Sequence, residues 1–567
     1  MKVTTYIAEF LVAKGIDVLF ELQGGMITRI IDEIHRLGRT TIVSVHHEQA
    51  AAFAVDAYAR VTNKPGVALA TSGPGATNLI TGIASCYFDS VPAIFITGQV
   101  NQREQKGAKE TRQIGFQETE IVPIVKPITK AAISIESAKE VPKVLQYAYR
   151  TAMSGRPGPV LIDVPMNLQH ENAEDTPLCE DSDRISPESN RSEREAFISQ
   201  FLLALESSEK PLVLAGRGIQ TSNSKDVFLR FVEQFDLPVV TSLLGFDSIH
   251  YDHPDRVGFI GTYGNRWANF AMGESDLLLV LGSRLDLRQT GAEVDSFVRG
   301  KKIFHVDIDQ AELNNRVKDC TVLCADVFEF LNSIAVRNNS SNHFVEWRKN
   351  IGRAYRKRKD IDELRGIQGI NPNVFIHRLS AASSKAKIVT TDVGNNQMWA
   401  SQSYELRSHQ RFLSSGGMGA MGYSLPAAIG ACFACGRFPV VAIAGDGGFQ
   451  VNIQELQTIR RNNLPIKIVI LNNRCLGMIR QFQDSYFESC YQSTVWGYNS
   501  PDFETVARAY GIDACSIETP EEMDAGLLSL WNDPDQPFLL NVSVDVHTNV
   551  YPKMMFGSPL TEMEPKA

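Results

Sequence analysis

Short apolar runs that stop on glycine, aspartate or asparagine recur through this chain, with helical patterns between them. GVALAT (66–71), PAIFITG (92–98) and GPVLIDVP (158–165) come first. PLVLAGRGI (211–219), LPVVTSLLG (237–245), DLLLVLGSRL (276–285) and KIFHVDID (302–309) follow. KIVTTDVG (387–394), FPVVAIAGDGG (438–448), LPIKIVILNN (464–473) and PFLLNVSVD (537–545) close the series. An apolar run without polar alternation is a strand buried on both faces. Strands that alternate with helices build a parallel sheet covered on both sides. The pattern predicts an α/β chain of three Rossmann-like or flavodoxin-like units, each around a central parallel sheet.

The first unit is expected over 1–172, the second over 190–340, the third over 370–548, and a tail over 549–567. Residues 170–198 are acidic, carry Ser and Pro, and read as a linker. Residues 336–371 are polar and basic and read as a solvated connecting helix. The tail suits a lid or a plain surface segment equally well. The first twenty residues read as a helix rather than a leader. Lys and Arg total 56 against 65 Asp and Glu, a formal charge of −9. That balance argues against a nucleic-acid partner. No run reaches the roughly 18 apolar residues of a membrane span. Nine scattered cysteines suggest a reduced, cytoplasmic protein without a disulfide framework. Cys432 and Cys435 form a CxxC with no second pair, and read as small packing residues of a helix.

The densest chemical signal lies in the third unit. Gly445-Asp446-Gly447-Gly448 follows VVAIA, and Asn472-Asn473 follows IKIVIL. Both fall at the carboxyl ends of predicted parallel strands, the edge where open α/β sheets bind ligands. The glycines let a phosphate approach the backbone. Asp446 and Asn473 offer hard oxygens that, with diphosphate oxygens, suit octahedral Mg²⁺. In the first unit, His47-Glu48-Gln49 leads into the Ala-rich helix AAAFAVDAYAR. A buried carboxylate is costly without a specific partner, which makes Glu48 a candidate proton-sharing group.

The paired GDG and NN motifs resemble the diphosphate anchor of thiamine-diphosphate enzymes. HEQAAAFAVDAYAR, ATSGPGATNL, DSVPAIFITGQV, FQETEIV, SGRPGPVLIDVP, SSGGMGAMGYSLPAAIGA and LNNRCLGMIRQFQ extend the resemblance over about residues 1 to 548. It is nearest to the large catalytic subunits of acetohydroxyacid (acetolactate) synthase. The resemblance implies that Glu48 bonds the cofactor pyrimidine and favours the imino form that takes the thiazolium C2 proton. Ser72, Pro74 and Asn78 would border the pyrimidine. Val393, Gly394, Asn395 and Asn396 would approach the diphosphate, and Gly419 and Met421 would hold the bent cofactor. Gly445, Gly447 and Gly448, with Leu476, Gly477 and Met478, continue that site. Asp446, Asn473 and the backbone oxygen of Cys475 would bind Mg²⁺. Gly25, Phe116 and Gln117 would line the reacting carbons, with Gln117 and Asn396 offered to a developing alkoxide.

The resemblance also implies a structural FAD in the middle unit. Its stretches would be Gly216, Arg217 and Gly218, then Leu244, then Gly261, Thr262 and Tyr263. Gly282, Ser283, Arg284, Asp286 and Arg288 follow, then Asp307 and Ile308, then Asp326 and Val327. Arg284 and Arg288 would meet the diphosphate and Asp307 the ribose. A homodimer or homotetramer is implied, with the first unit of one subunit facing the third unit of another. A regulatory subunit is left open.

Several positions depart from the synthase pattern. Gln23-Gly24-Gly25-Met26 stands for Pro-Gly-Gly-Ala, Met166 for Lys, Asn395-Asn396 for Gln-His, and Phe482 for Trp. The loop VNQREQKGAKETRQIGFQET is longer than usual. These changes fall where a second substrate should enter. The expected reaction decarboxylates pyruvate and transfers its two-carbon remainder to a carbonyl acceptor. The acceptor is pyruvate or 2-oxobutyrate, or a nucleotide-linked keto-sugar as in the similar enzymes of yersiniose type. Simple decarboxylation or oxidation is a third outcome. The intact Glu48, Asp446 and Asn473 disfavour a non-catalytic flavin-binding protein.

Overall fold

The computed structural model describes residues 1–174, 177, 189–337, 344–555 and 557–566. Three six-stranded parallel sheets organise the chain. The first holds β1 (Val18–Leu22), β2 (Thr41–Ser44), β3 (Gly66–Ala70), β4 (Ala93–Gln99), β5 (Ala131–Ser134) and β6 (Pro159–Pro165) in the order β2-β1-β3-β4-β6-β5. The second holds β7 (Pro211–Ala215), β8 (Val239–Thr241), β9 (Arg256–Phe259), β10 (Leu277–Leu281), β11 (Lys302–Asp307) and β12 (Thr321–Cys324) in the order β12-β11-β10-β7-β8-β9. The third holds β13 (Ile388–Thr391), β14 (Arg411–Ser414), β15 (Val440–Gly445), β16 (Ile466–Asn472), β17 (Asp513–Ile517) and β18 (Phe538–Ser543) in the order β14-β13-β15-β16-β18-β17. The first and third sheets thus share one strand order. The second has the order of dinucleotide-binding sheets, with its switch point between β7 and β10.

The first and third units are joined through one continuous apolar core. Its centre is a pair of helices, Glu48–Thr62 and Ser424–Ala434. Small residues let their backbones touch. A Cβ at Gly430 would lie 2.0 Å from the Ala54 carbonyl oxygen. Phe53 and Tyr423 meet edge to face beside that crossing, with centroids 5.4 Å apart. A buried charge network crosses the same interface. Arg60 pairs with Asp56 at 2.7 Å and Asp89 at 2.9 Å, and it donates to the Ser414 carbonyl at 3.1 Å. The Tyr423 hydroxyl donates to Asp56 at 2.5 Å.

Three expectations about connections are corrected. The linker ends earlier than 198, because Arg191–Glu206 is helical and buries Phe197, Ile198 and Phe201 on the second core. Asn190 caps that helix by accepting from Ser192 N. Much of the expected linker, 175–176 and 178–188, lies outside the described residues. The basic stretch holds the helix Val345–Lys357, which is not fully solvated. Trp347 and Ile351 are buried, and the Trp347 indole donates to the Pro211 carbonyl at 3.0 Å. The tail is neither loose nor plain. Lys553–Met554 pairs antiparallel with Met563–Glu564, and Met554 and Leu560 join the second core. Cys432 is buried in the helix Ser424–Ala434, Cys435 follows it half-buried, and the described cysteines are all free thiols. Among the described residues, no helix is long and apolar enough to cross a membrane.

Candidate functional site

β15 and β16 are neighbours, with Gly445 opposite Leu471, so Asp446 and Asn473 emerge side by side from their carboxyl ends. The near atom of the Asn473 amide lies 3.1 Å from Asp446 Oδ1 and 2.8 Å from the Cys475 carbonyl oxygen. With the amide turned nitrogen-inward, it donates to both. With oxygen inward, three oxygens converge without a hydrogen among them, which is the donor set of a hard divalent cation. Burial pushes Asp446 up to about 6, against a hydrogen bond from Tyr498 and nearby backbone amides. Among the described residues there is no cluster of three His, Cys, Asp or Glu suited to a metal. The set here is one carboxylate, one amide and one carbonyl, so a cation would complete its shell with ligand oxygens, as a diphosphate supplies. The residues present fit that group.

The surrounding turns leave room only for glycine. A Cβ at Gly448 would stand 2.2 Å from Asp392, and one at Gly477 would stand 2.3 Å from Asn473. Asp392 was not singled out by the sequence. It is fully buried and accepts from the Gly422 amide at 2.8 Å and from Asn396 Nδ2 at 2.8 Å. It thereby ties together the 392–396, 419–422 and 445–448 segments. Burial raises its carboxyl to about 7. Its only sequence signal is a charge at the end of an apolar strand. Asn395 Oδ1 is buried without a partner, an acceptor free for a ligand. Gly419 adopts φ +61, and Met421, partly exposed, lies with Leu476 beside Gly447. Asn396 does not match its expected alkoxide role. Its donor is spent on Asp392 and Thr391, so it braces the turn instead.

In the first unit, Glu48 opens its helix with only 5% exposure. Asn78 Nδ2 donates to its Oε2 at 2.9 Å. Oε1 faces Gly75, where a Cβ would lie 3.1 Å away. Pro74 starts the short helix that carries Asn78. Ser72 donates to the Gln117 carbonyl, and Gln117, at φ +65, packs on Gly73. These residues are brought together around Glu48. Gly25 has open space around it, and Phe116 is 80% exposed, so neither is enclosed within one chain. Glu118 is a further residue that sequence reasoning missed. Burial pushes its carboxyl up, but the amides of Ile114, Lys106 and Gly115 outweigh that and hold it below the usual range. It organises the long loop from inside.

A cavity of about 410 Å³ opens at the switch point of the second sheet. Every expected middle-unit residue except Gly216 lines it. Gly216 instead allows close packing, since a Cβ there would lie 2.1 Å from the Gly282 carbonyl oxygen. Burial raises Asp307 to about 6. Arg284 pairs with Asp286 at 3.2 Å. Arg217 makes no ion pair among the described residues, and its Nε is buried without a partner. Burial, then the neighbouring Arg60 and Arg411, lower it to about 10. A guanidinium without an ion pair on a cavity wall fits an anionic ligand, as a dinucleotide is. Phe88, Asp89 and Arg156 add to the wall from the first unit, and Val393, Gln397, Gly416 and Met478 from the third. Val393 and Met478, expected beside the diphosphate, thus also face this cavity, and no local motif foretells the others, because they are remote in sequence from the middle unit.

Comparison with known proteins identifies the family. Residues 392–542 match the C-terminal TPP binding domain of thiamine pyrophosphate enzymes, residues 1–123 the N-terminal TPP binding domain, and residues 198–334 the central domain. The chain is 35% identical to the acetolactate synthase isozyme 2 large subunit of Escherichia coli (strain K12), over 98% of each chain. It is 35% identical to a probable acetolactate synthase large subunit of Methanococcus aeolicus, over 94% of this chain and 90% of that one. It is 34% identical to the acetolactate synthase large subunit of Lactococcus lactis subsp. lactis (strain IL1403), over 97% and 93%.

Proposed function

The chain belongs to the thiamine pyrophosphate enzymes, and from that premise we propose that it is a Mg²⁺-dependent carboligase that takes a two-carbon unit from pyruvate, with loss of CO₂, and joins it to a carbonyl acceptor. The observation that carries this reading is the convergence of Asp446, Asn473 and the Cys475 carbonyl at two adjacent strand ends. When bound, thiamine diphosphate supplies the carbon nucleophile and the electron sink. The protein supplies the rest. Asp446, Asn473 and Cys475 hold the cation, while the Gly394 and Gly445–Gly448 backbone admits the diphosphate. Glu48, fixed through one oxygen by Asn78, keeps the other free to hold a proton at the pyrimidine ring. Gln117, beside Ser72 and Gly73, is placed to donate to substrate oxygen.

Within one chain, the Glu48 helix turns Asp56 and Arg60 toward Tyr423 and Ser414, and Glu48 toward Asn78. Among the described residues, no hydrogen bond joins Glu48 to the Asp446 cluster. The same proposal takes the protein as a homodimer in which Glu48 serves the partner's third unit. The relatives are named as large subunits, so a small partner subunit belongs to the same proposal. The switch-point cavity, with its unpaired Arg217, supports a bound FAD that the reaction does not reduce.

The acceptor is proposed to be a larger, neutral ketone rather than 2-oxobutyrate. Met166 sits half-buried just after β6, where a cation would assist a carboxylate. That missing bond is worth roughly 1.5–3 kcal/mol. Phe482 is half-exposed and meets Tyr486 and Phe487 with tilted rings, at centroid distances of 4.9 and 5.5 Å. The test supplies purified protein with thiamine diphosphate, Mg²⁺, pyruvate and a panel of acceptors: pyruvate, 2-oxobutyrate and ketones including nucleotide-linked keto-sugars. CO₂ release with a joined product is the expected result. Acetaldehyde alone would mean a decarboxylase, and no CO₂ would end the proposal. Strong preference for 2-oxobutyrate would restore the ordinary synthase reading.

A further inference from the structure

We propose that the Tyr498 hydroxyl is a positioning group for the metal-binding carboxylate: it holds Asp446 Oδ2 and leaves Oδ1 turned to Asn473 and the Cys475 carbonyl. The proposal rests on the Mg²⁺ reading of that cluster and adds a residue to it. Tyr498 donates to Asp446 Oδ2 at 2.8 Å, while Oδ1 lies 3.1 Å from the Asn473 amide. The two carboxylate oxygens therefore have separate tasks before any cation arrives. A free carboxylate could rotate or chelate with both oxygens. This one presents a single oxygen in a fixed direction.

The direction of the hydroxyl proton is also set. Gln450 Nε2 donates to the Tyr498 oxygen at 3.3 Å and to the Asp446 carbonyl at 3.2 Å. A lone pair of the phenol is thereby occupied, and its proton is left for Asp446.

The hydroxyl lies inside the cradle and not on its rim. A Cβ at Gly447 would lie 3.3 Å from it, 2.6 Å from Leu476 and 3.2 Å from Met421. The segment that delivers Tyr498 is clipped to the metal loop itself, since the Leu476 amide donates to the Thr494 carbonyl at 3.0 Å. The residue that supplies a carbonyl to the cation, Cys475, and the residue that aims its carboxylate thus move together. Ligating carboxylates are usually held by such outer partners, and losing one typically weakens metal binding about 10- to 100-fold.

Tyr498→Phe keeps the ring and removes the hydroxyl. Mn²⁺ stands in for Mg²⁺, and its binding is followed by loss of the free-ion electron paramagnetic resonance signal at saturating thiamine diphosphate. The apparent Kd is expected to rise about 10- to 100-fold. The thermal melt of the metal-free protein should not move, which separates aiming from general support. Gln450→Leu frees the hydroxyl to rotate and should raise the Kd by a smaller factor; it carries the test should the Phe variant fold poorly. Asp446→Ala is the reference and should lose metal binding. An unshifted Kd in the Tyr498 or Gln450 variant, with binding lost in Asp446→Ala, overturns the role of Tyr498. Unchanged binding in Asp446→Ala overturns the metal reading itself.

Discussion

Glu48→Gln separates shape from proton chemistry more cleanly than any other change in this chain. The side chain has two oxygens with different surroundings. Oε2 accepts from Asn78 at 2.9 Å, and Oε1 points past Gly75. Glutamine can keep its carbonyl toward Asn78 and put its NH₂ where Oε1 stood. Replacing a charged acceptor by a neutral one there costs about 1 kcal/mol, so the fold and cofactor binding should survive. The proton-sharing oxygen is lost entirely. A positioned acid–base group contributes about 10²- to 10⁴-fold, or roughly 2.7–5.4 kcal/mol of barrier. The assay is hydrogen–deuterium exchange at C2 of bound thiamine diphosphate, stopped by acid and read by NMR, alongside cofactor affinity from fluorescence. Slowed exchange with affinity nearly kept is the expected outcome. Exchange within a few-fold of the parent protein, with cofactor bound, would remove Glu48 from this role.

Three further outcomes are expected. Purified protein should show a visible flavin band that is released on denaturation and is not bleached by pyruvate without oxygen; bleaching would point to an oxidase. Arg60→Leu strands Asp56 and Asp89, each fully or almost fully buried, and should cost about 3–5 kcal/mol in urea unfolding; an unchanged midpoint would mean the network is not charged. Burial raises Asp163 to about 6, and Asp392 and Glu455 to about 7, while such groups ionise near about 4 when unfolded. The folded chain then binds more protons than the unfolded one across that window, so melting temperatures of cofactor-free protein should fall as pH rises from about 4 to about 7; a rise would contradict the burial of these carboxyls.

The sequence revealed the centres of the three sheets and little of their edges. β3, β4, β6, β7, β10 and β16 are buried along their whole length, so each reads as an unbroken apolar run. The strands that left no such run include β2, β5, β9, β12, β14 and β17, which are the outer strands of their sheets. β2 and β5 each keep at most one buried residue, and β17 buries only Ala514 and Ile517. An edge strand has only one covered neighbour and needs fewer apolar residues, so its signal fades into the loops around it. β1 lies inside its sheet and was masked by the helical pattern that precedes it. At the site, motif residues were legible because strand ends and glycine turns mark them. Asp392 and Tyr498 were not, since each acts by bonding to a segment far away in sequence, and Glu118 was not, since it sits in an irregular loop whose amides it gathers.

Long-range bonding of this kind also connects the dinucleotide-type cavity to the site proposed for carboligation. Asp89 accepts from the amides of Gly416 at 3.0 Å and Gly417 at 2.6 Å, and both glycines line the cavity. Gln397 reaches the same segment through Ser414 and Ser415 at 2.6 and 2.8 Å. A few residues on, that segment becomes Gly419 and Met421, beside the Asp446 turn. Arg60 links Asp89 back to Ser414 and to the helix that begins at Glu48. The wall of the cavity and the floor of the cradle are therefore two faces of one strip of backbone. A rigid ligand in the cavity restrains that strip without touching the reacting atoms. The departures from the synthase pattern at Gln23, Met166 and Phe482 lie outside this bonded frame. On the proposed reading, acceptor choice can drift at those positions while Glu48 and the Asp446 cluster stay fixed.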